Sequence, residues 1–340
     1  MQSRRMAADL FSPDELNDAE RVVSRHVPRT PAYTWPEIGA VLGAEVVTKH
    51  EDVTPTAAFK VRGGLVYLDR LVRERPTVPG IVSATRGNHG ISLAFSGRAY
   101  GVPVVIVVPE CNSREKNAAM RTLGAEVVVH GADLQESCQH SRVLARELGF
   151  EAVPTFHPDL VLGVATYAKE LFDAAGPLDA VYVAVGMGSG ICGLIAVRDQ
   201  LGLDTRIIGV CAEGAPAQAL TFAAGEVVST PEARTFVDGV AARQPDPVAA
   251  RIIRDGAARV ITVSDDDTAE AIRAIWRCTH HLAEPAGAIS LAGLIQEHER
   301  WQGRRVAFVL SGANMDTDMA ALVLGGATPQ VEPAPAALSA

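Results

Sequence analysis

A chain of 340 residues, 48% hydrophobic and 21% charged, is long enough to bury a sizeable core, most readily as two domains. Its formal charge of −9 argues against nucleic acid or an anionic membrane surface as the main partner. The 5 cysteines (Cys111, Cys138, Cys192, Cys211, Cys278) are scattered and never at CxxC spacing, which reads as a reduced cytoplasmic chain without a zinc site.

The amino-terminal MQSRRMAADLF has two arginines but no apolar stretch after them, so no signal peptide is expected. Apolar runs elsewhere are strand-length, which predicts no transmembrane helix. Ser12-Pro13-Asp14-Glu15 opens a helix, with Ser12 as N-cap, Pro13 at the first helical position and Glu15 closing a capping box. Pro28 ends it, near His26. Arg29-Thr30-Pro31 reads as a turn and Glu45 to Lys49 as a short strand.

That strand leads into Pro55-Thr56-Ala57-Ala58-Phe59-Lys60-Val61-Arg62-Gly63-Gly64, an apolar run carrying Lys60. A lysine among Ala, Phe and Val loses solvation, which lowers its pKa and favours the neutral amine needed to attack an aldehyde. A lysine snorkelling from a helix start is the plainer alternative. Leu65, Leu68, Leu71 and Val72 then continue at helical spacing to about Arg75.

From there the chain alternates. β-Branched runs at 81–83, 104–108, 127–129, 181–185, 207–210, 260–263 and 306–310 are separated by helical patterns such as Ser113–Leu123, stopped by Gly124. Strand–helix alternation with short buried strands predicts an α/β fold of mostly parallel sheet, as one sheet or two, with Pro154–Pro158 as the return between them. Residues 325–340 are Pro/Ala-rich without periodicity and read as a mobile tail.

Three further stretches carry chemistry. Ser83-Ala84-Thr85-Arg86-Gly87-Asn88-His89-Gly90 joins a strand to a helix and presents N–H groups and hydroxyls at the helix start, suited to a carboxylate or phosphate. An ordinary capped loop is the alternative. Val185-Gly186-Met187-Gly188-Ser189-Gly190-Ile191-Cys192-Gly193 has the alternating glycines of an anion-binding nest. It fits neither the dinucleotide fingerprint nor a P-loop, and a compact phosphate monoester suits it better. Leu310-Ser311-Gly312-Ala313-Asn314 puts a hydroxyl at a strand's carboxyl end, where open α/β sheets bind ligands. An amine, two anion cradles and a hydroxyl describe an aldehyde cofactor carrying a phosphate, pyridoxal phosphate.

With Val237-Asp238-Gly239-Val240-Ala241, Arg243-Gln244-Pro245 and Glu284-Pro285-Ala286-Gly287-Ala288 in the same order, these blocks resemble the fold-type II pyridoxal-phosphate enzymes of the threonine/serine dehydratase and serine racemase group, over about residues 55–316. The resemblance implies a tryptophan-synthase-beta-like fold of two open, mostly parallel sheets with flanking helices. A large domain would comprise 1–79 and 151–325, a small one 80–150, and 326–340 the tail. It implies Lys60 as the cofactor's Schiff-base lysine beside Phe59, Asn88 on the cofactor's 3-hydroxyl, and Gly186, Met187, Gly188, Ser189 and Gly190 around the phosphate. Ser311 would face the pyridine nitrogen and Glu284 the ring. Thr85, Arg86, Gly87, Asn88 and His89 would meet the substrate, a small amino acid, with Lys60, Ser311 and Arg86 catalytic.

The implied activity is elimination of water from a 3-hydroxy amino acid, L-threonine or L-serine, to a 2-oxo acid and ammonia. Alternatives are hydroxyaspartate dehydration, serine racemisation or a non-catalytic cofactor-binding homologue. By resemblance a homodimer is implied. Where cation-binding members carry a Glu and a later acid, this chain has Glu213 but Ala219, so no metal is expected. Little chain follows Asn314, so the regulatory domain of biosynthetic threonine dehydratases is not expected. The position before Gly-Asn-His is serine in serine racemases and the opposite-face acid/base there; here it is Arg86, a poor base.

Overall fold

The computed structural model describes residues 10–331; residues 1–9, where no leader is expected, and residues 332–340 of the expected tail lie outside the described residues. Two sheets are formed. The larger has the order β1-β2-β10-β7-β8-β9, from β1 (Ala32–Thr34), β2 (Glu45–His50), β7 (Ala180–Ala184), β8 (Arg206–Ala212), β9 (Arg259–Val263) and β10 (Arg305–Leu310). The smaller has the order β5-β4-β3-β6, from β3 (Ile81–Ala84), β4 (Val104–Val108), β5 (Glu126–Val129) and β6 (Glu151–Ala152). All pairings are parallel except β1 on β2.

Successive strand residues point to opposite faces, and in β3, β4, β7 and β10 both faces are buried, which is why these strands read as unbroken apolar runs. In β7, Val181 and Val183 enter one core with the helices Pro13–Ser24, Lys60–Glu74, Pro158–Ala175 and Ser189–Gln200. Ala180 and Tyr182 enter the opposite core with Asp265–Thr279 and Pro285–Gln296. The smaller sheet divides likewise, Ile81 and Ile106 to one side, Val82, Ala84, Val105 and Val107 to the other.

Local signals held where they were strong. Ser12 caps Pro13–Ser24 in a capping box with Glu15, and Ser113 caps Arg114–Thr122. The elements not foreseen include β1, β6 and the helices Pro36–Leu42 and Thr317–Leu324. Segments of three or two strand residues are too short to display a period. Because β6 pairs with β3, the smaller sheet itself runs two residues beyond position 150.

Beneath the lysine-bearing helix lies a sealed charge network. Fully buried Arg62 donates to Glu51 Oε2 through Nε at 2.7 Å and to Glu170 Oε1 through Nη1 at 2.8 Å. Lys49 Nζ reaches Glu170 Oε2 at 2.7 Å and the Thr30 carbonyl at 2.8 Å, while Thr30 Oγ1 donates to Glu51 Oε1 at 2.6 Å. Two cations and two carboxylates cancel. Together they tie β2, the helix of Lys60 and the helix Pro158–Ala175 into one frame.

Candidate active site

The ends of four parallel strands build one cleft. The loop after β2 leads to Lys60, β3 to Thr85–Gly90, β7 to Gly186–Gly190, and β10 to Ser311. Open α/β sheets bind ligands at this end of their strands. The cleft, of about 920 Å³ and open to solvent, is lined by all fourteen residues singled out from the sequence: Phe59, Lys60, Thr85, Arg86, Gly87, Asn88, His89, Gly186, Met187, Gly188, Ser189, Gly190, Glu284 and Ser311.

Lys60 is the first residue of the helix Lys60–Glu74. Its Nζ donates to Ser189 Oγ at 2.9 Å and lies 4.8 Å from the Phe59 ring centroid. Among the described residues no carboxylate pairs with it, and burial lowers its pKa to about 8. A larger neutral fraction near neutrality is what a nucleophilic or basic amine requires. Beside it, burial and the neighbouring Lys60 charge push His89 down to about 3, so its imidazole is neutral. His89 Nε2 is buried without a hydrogen-bond partner.

Gly188 takes φ +97°, a left-handed conformation that side chains disfavour, directly before the helix Ser189–Gln200. The loop thus exposes backbone N–H groups at a helix start, a seat for a phosphate. Ser311 Oγ donates to the Ala286 carbonyl at 3.0 Å. Asn88 Nδ2 donates to Glu284 Oε1, and Asn88 Oδ1 accepts from Asn314 Nδ2 at 2.8 Å. An unpaired desolvated amine, an orphaned buried imidazole nitrogen and a glycine cradle at a helix start fit an aldehyde cofactor with a phosphate.

Arg86 lines the cleft and, among the described residues, makes no hydrogen bond or ion pair. Sequence reading missed Lys116 and gave no role to Asp238. Lys116 Nζ sits 2.7 Å from Asp238 Oδ2 and 3.3 Å from Glu284 Oε2. The overlooked signal is a lysine on the buried stripe of its helix, beside Asn117 and Met120.

Among the described residues, one grouping has metal-ligand composition: His50, Asp52 and His281. Trp35 Nε1 donates to His50 Nε2 at 3.0 Å, so His50 Nδ1 carries the proton and donates to Asp52 Oδ1, also at 3.0 Å. His281 Nδ1 lies 2.8 Å from Asp52 Oδ2. Both His50 nitrogens and both Asp52 oxygens are therefore engaged in a hydrogen-bonded chain. Glu213 and Ala219 take no part in it.

Compared with known proteins, residues 23–312 match the family described as pyridoxal-phosphate dependent enzyme. The chain is 32% identical over 314 residues to an L-threo-3-hydroxyaspartate ammonia-lyase of Pseudomonas sp, covering 92% of this chain and 98% of the relative. It is 30% identical over 313 residues to the Saccharomyces cerevisiae enzyme of the same name, covering 92% and 96%. The fold is similar to that of the processed form of threonine deaminase isoform 2 from Solanum lycopersicum, with TM-score 0.84, 27% identity and coverage of 93% and 95%. The chain belongs to the pyridoxal-phosphate dependent enzymes, and its cofactor is pyridoxal 5'-phosphate.

Proposed function

We propose that the protein is an ammonia-lyase that eliminates water from a 3-hydroxy amino acid, with 3-hydroxyaspartate preferred to L-serine and L-threonine. The observation that carries this choice is Arg86, a cleft guanidinium with no protein partner. An unpaired Arg suits bidentate recognition of a carboxylate, and 3-hydroxyaspartate has a second one to offer. The two relatives named L-threo-3-hydroxyaspartate ammonia-lyase support the same reading.

In this reading Lys60 and the Gly186–Gly190 loop with Met187, Gly188 and Ser189 hold the cofactor, Asn88, Glu284 and Ser311 surround its ring, and Phe59 packs beside the lysine. Thr85, Gly87 and the backbone at Asn88 and His89 bind the substrate's first carboxylate; Arg86 binds the second. Pyridoxal phosphate supplies the aldehyde that captures the amino group and the ring that accepts electron density. Lys60 Nζ, partly neutral because of its burial, takes the Cα proton as general base. The β-hydroxyl leaves as water, and hydrolysis completes conversion to a 2-oxo acid and ammonia. Neutral His89, whose Nε2 has no protein partner among the described residues, leaves an acceptor nitrogen in the cleft and does not act as an acid. Because Arg86 is a poor base, proton exchange on the opposite face is slow and elimination exceeds racemisation.

The same reading treats residues 80–150 as a small domain facing a large one of 1–79 and 151–325. It also takes the enzyme to be a cytoplasmic homodimer. The 5 free cysteines suit a reducing compartment, and among the described residues no helix is long and apolar enough to cross a membrane. Steady-state kinetics on L-serine, L-threonine and both diastereomers of 3-hydroxyaspartate, with chiral analysis of unreacted substrate, test the proposal. The expected result is highest kcat/KM on a hydroxyaspartate diastereomer; conversion of L-serine to D-serine as fast as to pyruvate would overturn it.

A further inference from the structure

Lys116 faces, through an ion pair with Glu284, the end of a hydrogen-bond chain whose direction is set at its other end. The Thr56 carbonyl only accepts, so the group facing it at 2.8 Å is the Asn314 amide nitrogen. The same nitrogen donates its second hydrogen to Asn88 Oδ1 at 2.8 Å. The Asn88 amide nitrogen is thereby turned to Glu284 Oε1, which must accept. Glu284 Oε2 faces Lys116 Nζ at 3.3 Å, and Lys116 also holds Asp238 Oδ2 at 2.7 Å. The chain has one consistent polarity: it requires an acceptor at Glu284 Oε1 and leaves Oε2 without a hydrogen bond, facing the Lys116 ammonium as an ion pair.

The electrostatics of this corner are finely opposed. The Glu284 side chain is 1% exposed and that of Lys116 6%. The charged groups facing Glu284 are Lys116, from the helix Arg114–Thr122, and Asp238, from the short 3-10 turn Asp238–Val240. Burial raises the Glu284 carboxyl above the usual range; Lys116 pulls it down and Asp238 pushes it up. Burial lowers Lys116, but its two carboxylate neighbours outweigh this and keep it an ammonium. Lys116 reaches the site because Gly87 has no side chain: a Cβ there would lie 2.5 Å from Lys116 Cδ.

We propose that Lys116 is a positioning residue that holds Glu284 as an ionised acceptor and so orients Asn88, leaving the remaining hydrogen of its amide nitrogen free for the cofactor. This rests on a cofactor seated against Asn88 and not on the identity of the substrate.

Spectrophotometric pH titration of the holoenzyme without substrate tests it, apart from any turnover. Glu284→Gln identifies the Glu284-linked transition of the visible band by abolishing it. Lys116→Met should raise that midpoint by about 1–3 pH units, the range for loss of an adjacent opposite charge. Lys116→Arg should leave it within about half a unit and Asp238→Asn should lower it, as expected from the signs of their charges. In a Glu284→Gln background, Lys116→Met should move nothing. Superimposable wild-type and Lys116→Met titrations, a shift that persists without Glu284, or no Glu284-dependent transition in either protein would overturn the proposal. If Lys116→Met does not retain cofactor, the other two variants decide: any outcome but an unmoved midpoint in Lys116→Arg and a lowered one in Asp238→Asn overturns it.

Discussion

Two charged clusters each take a residue from the lysine-bearing helix, Lys60 or Arg62, and are built on opposite terms. Under the helix, Lys49, Glu51, Arg62 and Glu170 are sealed from solvent, balanced two against two, and bonded to one another and to Thr30. In the cleft, among the described residues, Lys60 and Arg86 have no carboxylate partner, whereas Lys116 is set between two acids. A closed network stabilises a frame, because each buried charge already has its counter-charge. An open one retains binding capacity, because its cations have yet to meet theirs. Breaking the first should cost stability; breaking the second should cost chemistry with the fold intact.

The sharpest division is expected from Lys60→Ala. Loss of the base should lower turnover by about 10²–10⁴-fold. The visible band of the wild-type holoenzyme should vanish, while the variant apoprotein keeps a cooperative unfolding transition. Next is Arg62→Met, which leaves Glu51 and Glu170 with only Lys49. Breaking a buried pair costs about 3–5 kcal/mol, to be measured by urea denaturation; a loss below about 1 kcal/mol, the range of exposed pairs, would erase the contrast.

A smaller effect is expected of Arg86→Ala. The ratio of hydroxyaspartate to serine kcat/KM should fall about 10–100-fold, the value of one or two charge-assisted hydrogen bonds, without change in unfolding free energy. An unchanged ratio would remove Arg86 from substrate recognition.

The smallest concerns the apoprotein. Lys60 titrates near 8 when folded, against a reference of 10.5, so between these values the unfolded chain holds a proton that the folded one has lost. The Lys60 contribution to stability therefore rises with pH across that window, against the opposite slope of the buried thiols Cys192 and Cys211, which burial raises. Burial also lowers Lys49 and adds to the rise, so the quantity to measure is the difference between wild type and Lys60→Met, whose slope should be shallower. Equal slopes would show that Lys60 is not desolvated.

What was legible in the sequence were the parts whose meaning is local. Lys60 within its apolar run, the Gly186–Gly190 loop and Ser311 each announce themselves through neighbours in the chain, and parallel strands buried on both faces read as apolar runs. Ser12 and Ser113 mark helix starts because a cap is made within three residues. β1 and β6 stayed hidden because so few residues carry no period, and Arg86 was legible as a residue type but not as an unpartnered one.

The cores, the alternation of strand and helix and the chemistry of each loop were thus determined by the sequence, since hydrophobic periodicity and turn chemistry act over a few residues. Convergence was decided by the tertiary structure alone. Lys116 meets Asp238 across 122 positions and Asn88 meets Glu284 across 196. Whether Arg62 is sealed or Arg86 left open is likewise a matter of which distant carboxylates the packing brings near. A guanidinium has the same chemistry in both places; its function depends on the partners that surround it in space.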